Sequence, residues 1–428
     1  MPRLSLTGPD AMTTAAAALD FLRQRKEHFS LPQPFYVSED YYRLDMQQIF
    51  GNSWIFAGLS CETPKAGDWM TVEVGTDNVI LVRGHDNIIR AFHNSCRHRG
   101  SRICLESHGS SKRLVCPYHQ WGYELTGELS RVRYMEGDFD KKDFGLKPVH
   151  LRNVAGYLFI SFAAEPPEFD SFRRSWEPYV KAVDIENCKV AFTETIVEKA
   201  NWKLVMENNR ECYHCAGSHP ELLKTLTEFD NVEDPRMDRG YRALLEKKAA
   251  DWTALGIPYK NDHHSFRYRA VRLPFLEGAL SMTMDGKPAS RKLLGKFTDP
   301  DLGSARLLSL PNNWNHLLGD SVLAFRVLPR SAGETYLKSL WLVHKDAVEG
   351  VDYDVERLTH VWRQTNTQDA KLASDNQLGI ASRGYQPGPY SAMIEGGVRD
   401  FITWYTSEMQ ARLQDRLQAR QTPALAAQ

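Results

Sequence analysis

The sequence has little that would place it in or beyond a membrane. No stretch approaches the ~20 apolar residues that a spanning helix needs. The N-terminal run MPRLSLTGPDAMTTAAAALDFLRQRKEHF lacks the long apolar core of a secretory signal. Excess charge is missing as well: 53 Lys and Arg stand against 54 Asp and Glu, a formal net charge of -1. That balance excludes a global field for nucleic acid or anionic lipid, so any partner must be read by a local patch. Cysteine is scarce. Seven residues, unevenly placed along 428, are too few for a disulfide framework and suit thiolates kept reduced. No Gly-x-Gly-x-x-Gly follows a strand pattern, so the chain carries no flavin or nicotinamide fingerprint of its own. These absences leave a soluble, cytoplasmic globular protein with no nucleic-acid or membrane partner.

What is present reads as two or three cored domains, with 42% apolar and 25% charged residues. Residues 12–29 and 39–50 have apolar positions at helical spacing. From Trp54 to about Phe162 the texture changes to short β-rich runs (MTVEVG, NVILVRG, IIRAFHN, GYLFISF) separated by Gly, Asp and Asn turn signals. The segment AAEPPEF, residues 163–169, predicts a linker, because paired prolines stop a strand or helix. Beyond it, KVAFTETIVEK predicts a strand and WKLVMENNRECYHCAG a helix. GDSVLAFRVLPR and TYLKSLWLVHK predict paired strands, 354–379 a long helix, and the chain after Gln418 a frayed tail.

Two clusters of metal-ligating residues stand out. Cys96-x-His98 and Cys116-x-x-His119 suit two hairpin loops gripping a metal group from both sides. Structural zinc more often draws its pairs at Cys-x2-4-Cys or His-x3-5-His spacing. One Cys and one His from each loop fits a [2Fe-2S] cluster with thiolates on one iron and imidazoles on the other, and zinc stays open as the alternative. The second cluster lies in NWKLVMENNRECYHCAGSHPE. Glu211 and His214 are three apart and share a face if the helix is continuous. Pro220 biases His219 out of the α region, which ends the helix near Ser218 and lets His219 turn back toward His214. Two histidines with a carboxylate on one face of an ion make the facial site of non-haem iron oxygenases. Cys212 and Cys215 lack a preceding thioredoxin-like strand pattern and read as packing residues.

CRHRGS with CPYHQWGYEL resembles the Rieske motif of ring-hydroxylating-type oxygenases, and the resemblance runs from LPQPFYVSEDYYRLDMQQIF to YQPGPYS. Respiratory Rieske proteins carry extra cysteines where this chain has Ser101 and Tyr118, which directs the resemblance to the oxygenases; Cys104 then reads as a buried thiol. The resemblance implies an α+β fold: N-terminal helices over 1–50 packed on the catalytic domain, an antiparallel β Rieske domain over 51–165, and a helix-grip (START-like) catalytic domain over 166–428. It implies Cys96, His98, Cys116 and His119 as cluster ligands, and His214, His219 and Asp369 as ligands of a mononuclear Fe(II), with Asp375 the weaker choice of carboxylate. It makes Glu211 the bridge from His214 to His119 of the partner subunit in a homotrimer, with Asn208 helping to shape the iron pocket. Electrons from NAD(P)H would arrive through a separate flavin/[2Fe-2S] reductase.

Within the family, ENNRECYHC, SMTMDGK and WLVHKDAVEGVDYDVERL resemble demethylases of quaternary ammonium compounds. The implied reaction is O2-dependent N-demethylation, with glycine betaine ahead of stachydrine and carnitine-type substrates, and aromatic ring hydroxylation further behind. Aromatic faces recognise such cations. Trp252, Phe266, Tyr268, Trp314, Tyr385 and Tyr390 are candidates for that cage, and an Arg or His would be needed for a carboxylate.

Overall fold

The computed structural model describes residues 9–135, 139–229, 232–260 and 265–425. Every sheet is antiparallel. The β-rich segment does not form one sheet but three. Strands Asp68–Val74, Asp77–Arg83, Ile89–His93 and His108–Ser110 make one, and Ile55–Leu59, His150–Val154 and Tyr157–Ser161 another. The third is a small sheet of Leu114–Val115, Gly122–Tyr123 and Leu129–Arg131, close to both Cys/His loops. Residues 163–169 hold no helix or strand, as the prolines require, before the helix Asp170–Val183 begins.

The second half is built on a six-stranded sheet in the order Cys188–Glu198, Glu334–His344, Val322–Ser331, Asn313–Leu317, Ser304–Ser309, Tyr268–Leu273. The long helix Val355–Ile380 packs on it, starting where Asp354 Oδ1 accepts from the Arg357 amide. Asn366 Nδ2 donates to Ser339 Oγ at 3.1 Å, and Arg363 pairs with Glu194 at 3.1 Å, fixing the helix across the sheet. This is the helix-grip arrangement.

The N-terminal helices belong to this half. The helix Pro9–Gln24 lays Ala15, Ala18, Leu19 and Leu22 against the C-terminal helix Gly396–Leu425. That last helix runs on through Leu425 into the expected frayed tail after Gln418, whose last residues, 426–428, lie outside the described residues. Val398, Phe401, Ile402, Tyr405, Met409 and Leu413 form its buried stripe at helical spacing, and each such side chain contributes roughly 1.5–3 kcal/mol through burial. The predicted helix 39–50 is irregular, passing from α over Glu39–Leu44 to π over Asp45–Ile49 and 3₁₀ over Phe50–Asn52. Its Asp45 is fully buried. The carboxylate accepts from Trp202 Nε1 at 2.9 Å and Tyr405 OH at 2.6 Å, and pairs with the equally buried Lys203.

Candidate metal centres and pocket

At the first centre, backbone turns hold the loops before any side chain is considered. The Cys96 amide donates to Ser101 O at 2.8 Å and the Gly100 amide back to Cys96 O at 2.9 Å; Cys116 and Trp121 make the matching bond at 2.9 Å. The two cysteines are buried and the two histidines lie further out. The rings of His98 and His119 are 4.6 Å apart, and His98 stacks on Trp121 at 4.8 Å. Tyr123 OH sits 3.3 Å from Cys96 Sγ and accepts from the Arg97 amide at 3.0 Å. Burial raises the Cys96 thiol, so a thiolate there calls for a neighbouring cation. His98 Nδ1 is buried without a hydrogen-bond partner. Buried thiols beside an orphaned imidazole nitrogen fit a metal group. Cys104, outside this group, is a buried free thiol pushed up to about 12 by desolvation.

The second centre differs locally from its prediction. WKLVMENNRECYHCAG is not one helix: the helix Trp202–Asn209 ends at Arg210, a turn follows, and Cys215–Ser218 forms a single short one. Gly397, with no side chain, lets the C-terminal helix pack directly on the Arg210 carbonyl, and two asparagines weaken the helix just before it. Glu211 therefore meets His214 across a turn, with Oε1 accepting from Nδ1 at 2.6 Å. His219 closes the short helix just before Pro220, and its Nδ1 bonds Gln368 Oε1 at 2.7 Å. Gln368 Nε2 donates to Glu221 at 2.9 Å. The sequence reading missed Gln368, whose only signal is its place beside Asp369.

With both Nδ1 atoms engaged, the Nε2 atoms converge. His214 Nε2 and His219 Nε2 are 3.0 Å apart, and Asp369 Oδ1 lies 3.3 and 3.0 Å from them. Although that close, Asp369 Oδ1 makes no properly directed hydrogen bond, because the three atoms face a common point. Mutually cis donors of a divalent ion at roughly 2.1 Å stand about 3.0 Å apart, so the triangle fits one face of a metal ion. The electrostatics agree. Burial alone would lower both imidazoles, yet Asp369 and Glu211 carry His214 up to about 9, and Asp369 with Gln368 raises His219. Against its own burial, Asp369 is pulled down by the two histidines. The set favours positive charge at its centre. Asp375 is exposed and paired with Lys371, away from this triangle.

Cys212 and Cys215 are not independent packing residues. They are joined by a disulfide that straddles His214. Cys215 Sγ lies within 4.8 Å of the His214 and His219 nitrogens, but bonding to Cys212 removes it as a thiolate ligand. This bond also departs from the expectation of seven reduced thiols.

A cavity of about 100 Å³ opens beside the triangle, walled by Trp314, His316, Arg306, Trp362 and Thr365. A larger one of about 360 Å³ lies on the other side, walled by Tyr36, Tyr385, Tyr390 and Glu207. Asn208, Glu211 and His214 line both. Of the aromatic candidates, only Trp314 reaches the first cavity; Tyr385 and Tyr390 line the second, and Trp252, Phe266 and Tyr268 line neither. Trp362 was missed because it sits on a helix that reads simply as amphipathic.

The Rieske [2Fe-2S] domain model matches residues 53–149, and the ring hydroxylating alpha subunit (catalytic domain) model matches residues 185–411. The chain is 52% identical over 407 residues to the glycine betaine monooxygenase oxygenase subunit of Pseudomonas aeruginosa, which covers 95% of each chain. It is 49% identical over 398 residues to the subunit of the same name from Chromohalobacter salexigens, covering 93% of this chain and 89% of that one. Its fold is like that of the quaternary ammonium Rieske monooxygenase CntA solved with an inhibitor, at TM-score 0.69 and 23% identity over 92% of this chain and 98% of that one.

Proposed function

The chain belongs to the Rieske oxygenases with a ring-hydroxylating-type alpha subunit, and on that premise we propose that it is the oxygenase component of a glycine betaine N-demethylase. The observation that carries this reading is the near full-length identity to two glycine betaine monooxygenase subunits, joined to a small pocket with two tryptophans beside three converging donor atoms. Overall, glycine betaine, O2, two electrons and two protons give dimethylglycine, formaldehyde and water.

Cys96, His98, Cys116 and His119 would hold the [2Fe-2S] cluster, and His214, His219 and Asp369 the Fe(II). When bound, the cluster supplies single electrons and the mononuclear iron supplies O2 activation. The protein's own part is preparation. Glu211 and Gln368 hold the Nδ1 side of each iron histidine, which fixes ring orientation and leaves Nε2 for the metal. Trp314 and Trp362 narrow the pocket, exclude water and offer faces to a quaternary cation. Asn208 stands at the pocket edge beside Glu211.

Three parts of the reading concern partners and place. Electrons come from a separate NAD(P)H-dependent flavin/[2Fe-2S] reductase, in keeping with the two-component names of the relatives. The working unit is a homotrimer in which Glu211 links His214 to His119 of the partner subunit; that Glu211 and His214 also line the second cavity supports this. The protein works in the cytoplasm, in keeping with the lack of any helix among the described residues that is long and apolar enough to cross a membrane.

The test is reconstitution with O2, NADH and a competent reductase, with formaldehyde measured across glycine betaine, stachydrine, carnitine and choline. Glycine betaine should give the highest rate, and the protein should hold about two cluster irons and one mononuclear iron per chain. A preference for stachydrine would move the substrate within the class. No formaldehyde from any quaternary amine would remove the reading.

A further inference from the structure

The wall of the smaller cavity has polarity, and its order follows from strand register. Arg306 on one strand pairs directly with His316 on the next, and one step along the same strands Leu308 pairs with Trp314. Alternate residues share a face, so Arg306, His316, Leu308 and Trp314 point to the same side of the sheet. The Leu308–Trp314 row continues to Phe325 on one side and Arg269 on the other. Two further arginines, Arg210 and Arg269, line the cavity; among the described residues its carboxylates are Glu211, Glu228 and Asp369.

The helix Val355–Ile380 supplies the scale. Trp362, Thr365 and Asp369 line the cavity at i, i+3 and i+7, hence from one helix face. At ~1.5 Å per residue, Trp362 lies about 10 Å along the axis from Asp369. The His316 ring packs on Trp362 with centroids 4.8 Å apart. The described lining therefore runs from the metal ligands, past the two tryptophans, to a polar end set by the Arg306 guanidinium and the His316 imidazole.

Resting on the betaine reading, we propose that Arg306 and His316 form the carboxylate subsite of the substrate pocket, so that a short betaine lies with its carboxylate there and its methyl groups turned back toward His214, His219 and Asp369. Trp314 and Trp362 then flank the ammonium. Arg306 brings a fixed positive charge, held in place by the bonds its Nη1 and Nη2 donate to Phe229 O at 2.6 Å and Thr227 O at 3.4 Å. His316 brings direction. Its Nδ1 is 3.0 Å from Ser304 Oγ; with the hydroxyl donating, the ring carries its proton on Nε2 and can donate it to the carboxylate. Burial and the nearby Arg306 and Arg210 hold the imidazole well below its usual range, which keeps it neutral.

Choline discriminates, since it keeps the trimethylammonium group and lacks the carboxylate. Calorimetric titration of the holoenzyme should find glycine betaine bound more tightly than choline. Losing a charge-assisted contact in Arg306→Met should weaken glycine betaine roughly 10- to 100-fold and leave choline within about threefold. Because Arg306 also anchors residues 227–229, His316→Leu is the second variant; it keeps that anchor, and a smaller loss confined to glycine betaine is expected. Wild-type glycine betaine affinity in both variants, or equal losses for both ligands, overturns the subsite while leaving the demethylase reading intact. A wild-type protein that neither binds nor turns over a quaternary amine removes both.

Discussion

Replacing Lys203 by Met should cost the fold about 3–5 kcal/mol, the range for removing one partner of a buried ion pair. The reasoning starts from Asp45 and Lys203, neither of which has any exposed side-chain surface. In Lys203→Met the carboxylate keeps two neutral donors, Trp202 Nε1 at 2.9 Å and Tyr405 OH at 2.6 Å, and loses the one cation paired with it among the described residues. Those two bonds soften the loss but cannot neutralise the charge. The methionine fills most of the lysine stem's volume, so little of the loss should come from a cavity. Asp45→Asn should also destabilise, by leaving the Lys203 ammonium buried and unpaired. The double variant Asp45→Asn/Lys203→Met removes both charges and should be more stable than the sum of the single losses predicts, by at least ~2 kcal/mol. Guanidinium unfolding followed by far-UV circular dichroism would give the cycle. Single losses below ~1 kcal/mol, or losses that simply add, would refute the view that this pair acts as one unit. The site should feel it too, because Trp202 and Lys203 open the helix whose far end leads into Glu211 and His214.

Asp369→Ala and His219→Ala should each lose the mononuclear iron while the cluster's visible spectrum persists, whereas Asp375→Ala, at an exposed ion pair, should retain both metals; metal analysis decides. Glu211→Gln should keep both metals yet slow cluster oxidation in single turnover by about 10- to 100-fold, and a wild-type rate would reduce Glu211 to a local hydrogen-bond partner. Burial carries Glu207 up to about 7 despite bonds from Tyr36 and Tyr390. The folded protein therefore holds a proton that the unfolded chain releases above the ordinary Glu range, so this group lowers stability as pH rises from about 4.5 to 7. Glu207→Gln should accordingly stabilise most at pH 8 and least at pH 5. Melting curves that shift equally at both pH values would contradict that sign.

The cluster motif was legible because its loops are short and each ligand pair is local, so spacing nearly determines geometry. Family resemblance extended this to Asp369, which lies 150 residues beyond His219. Glu211 is instructive in another way. Its contact with His214 was expected from helical spacing and is made by a turn, since tertiary contact at Arg210 overrides the helix that the local sequence favours. Arg306 and His316 were beyond reach. Their pairing depends on which strands become neighbours and in what register, and each residue alone looks like any polar position in a strand. The C-terminal helix is a different case: its apolar stripe from Val398 to Leu413 stands in the sequence at helical spacing and went unread.

Among the described residues, Asn208, Glu211 and His214 are the ones that line both chambers, and they form a party wall between them. A wall one side chain thick can conduct a change in charge or a shifted hydrogen bond while blocking the traffic of molecules. Whatever occupies the larger chamber touches the same three side chains that border the smaller one. The arrangement resembles an electrical bulkhead fitting: one set of side chains faces two compartments at once, so a hydrogen bond remade on one side alters the wall of the other.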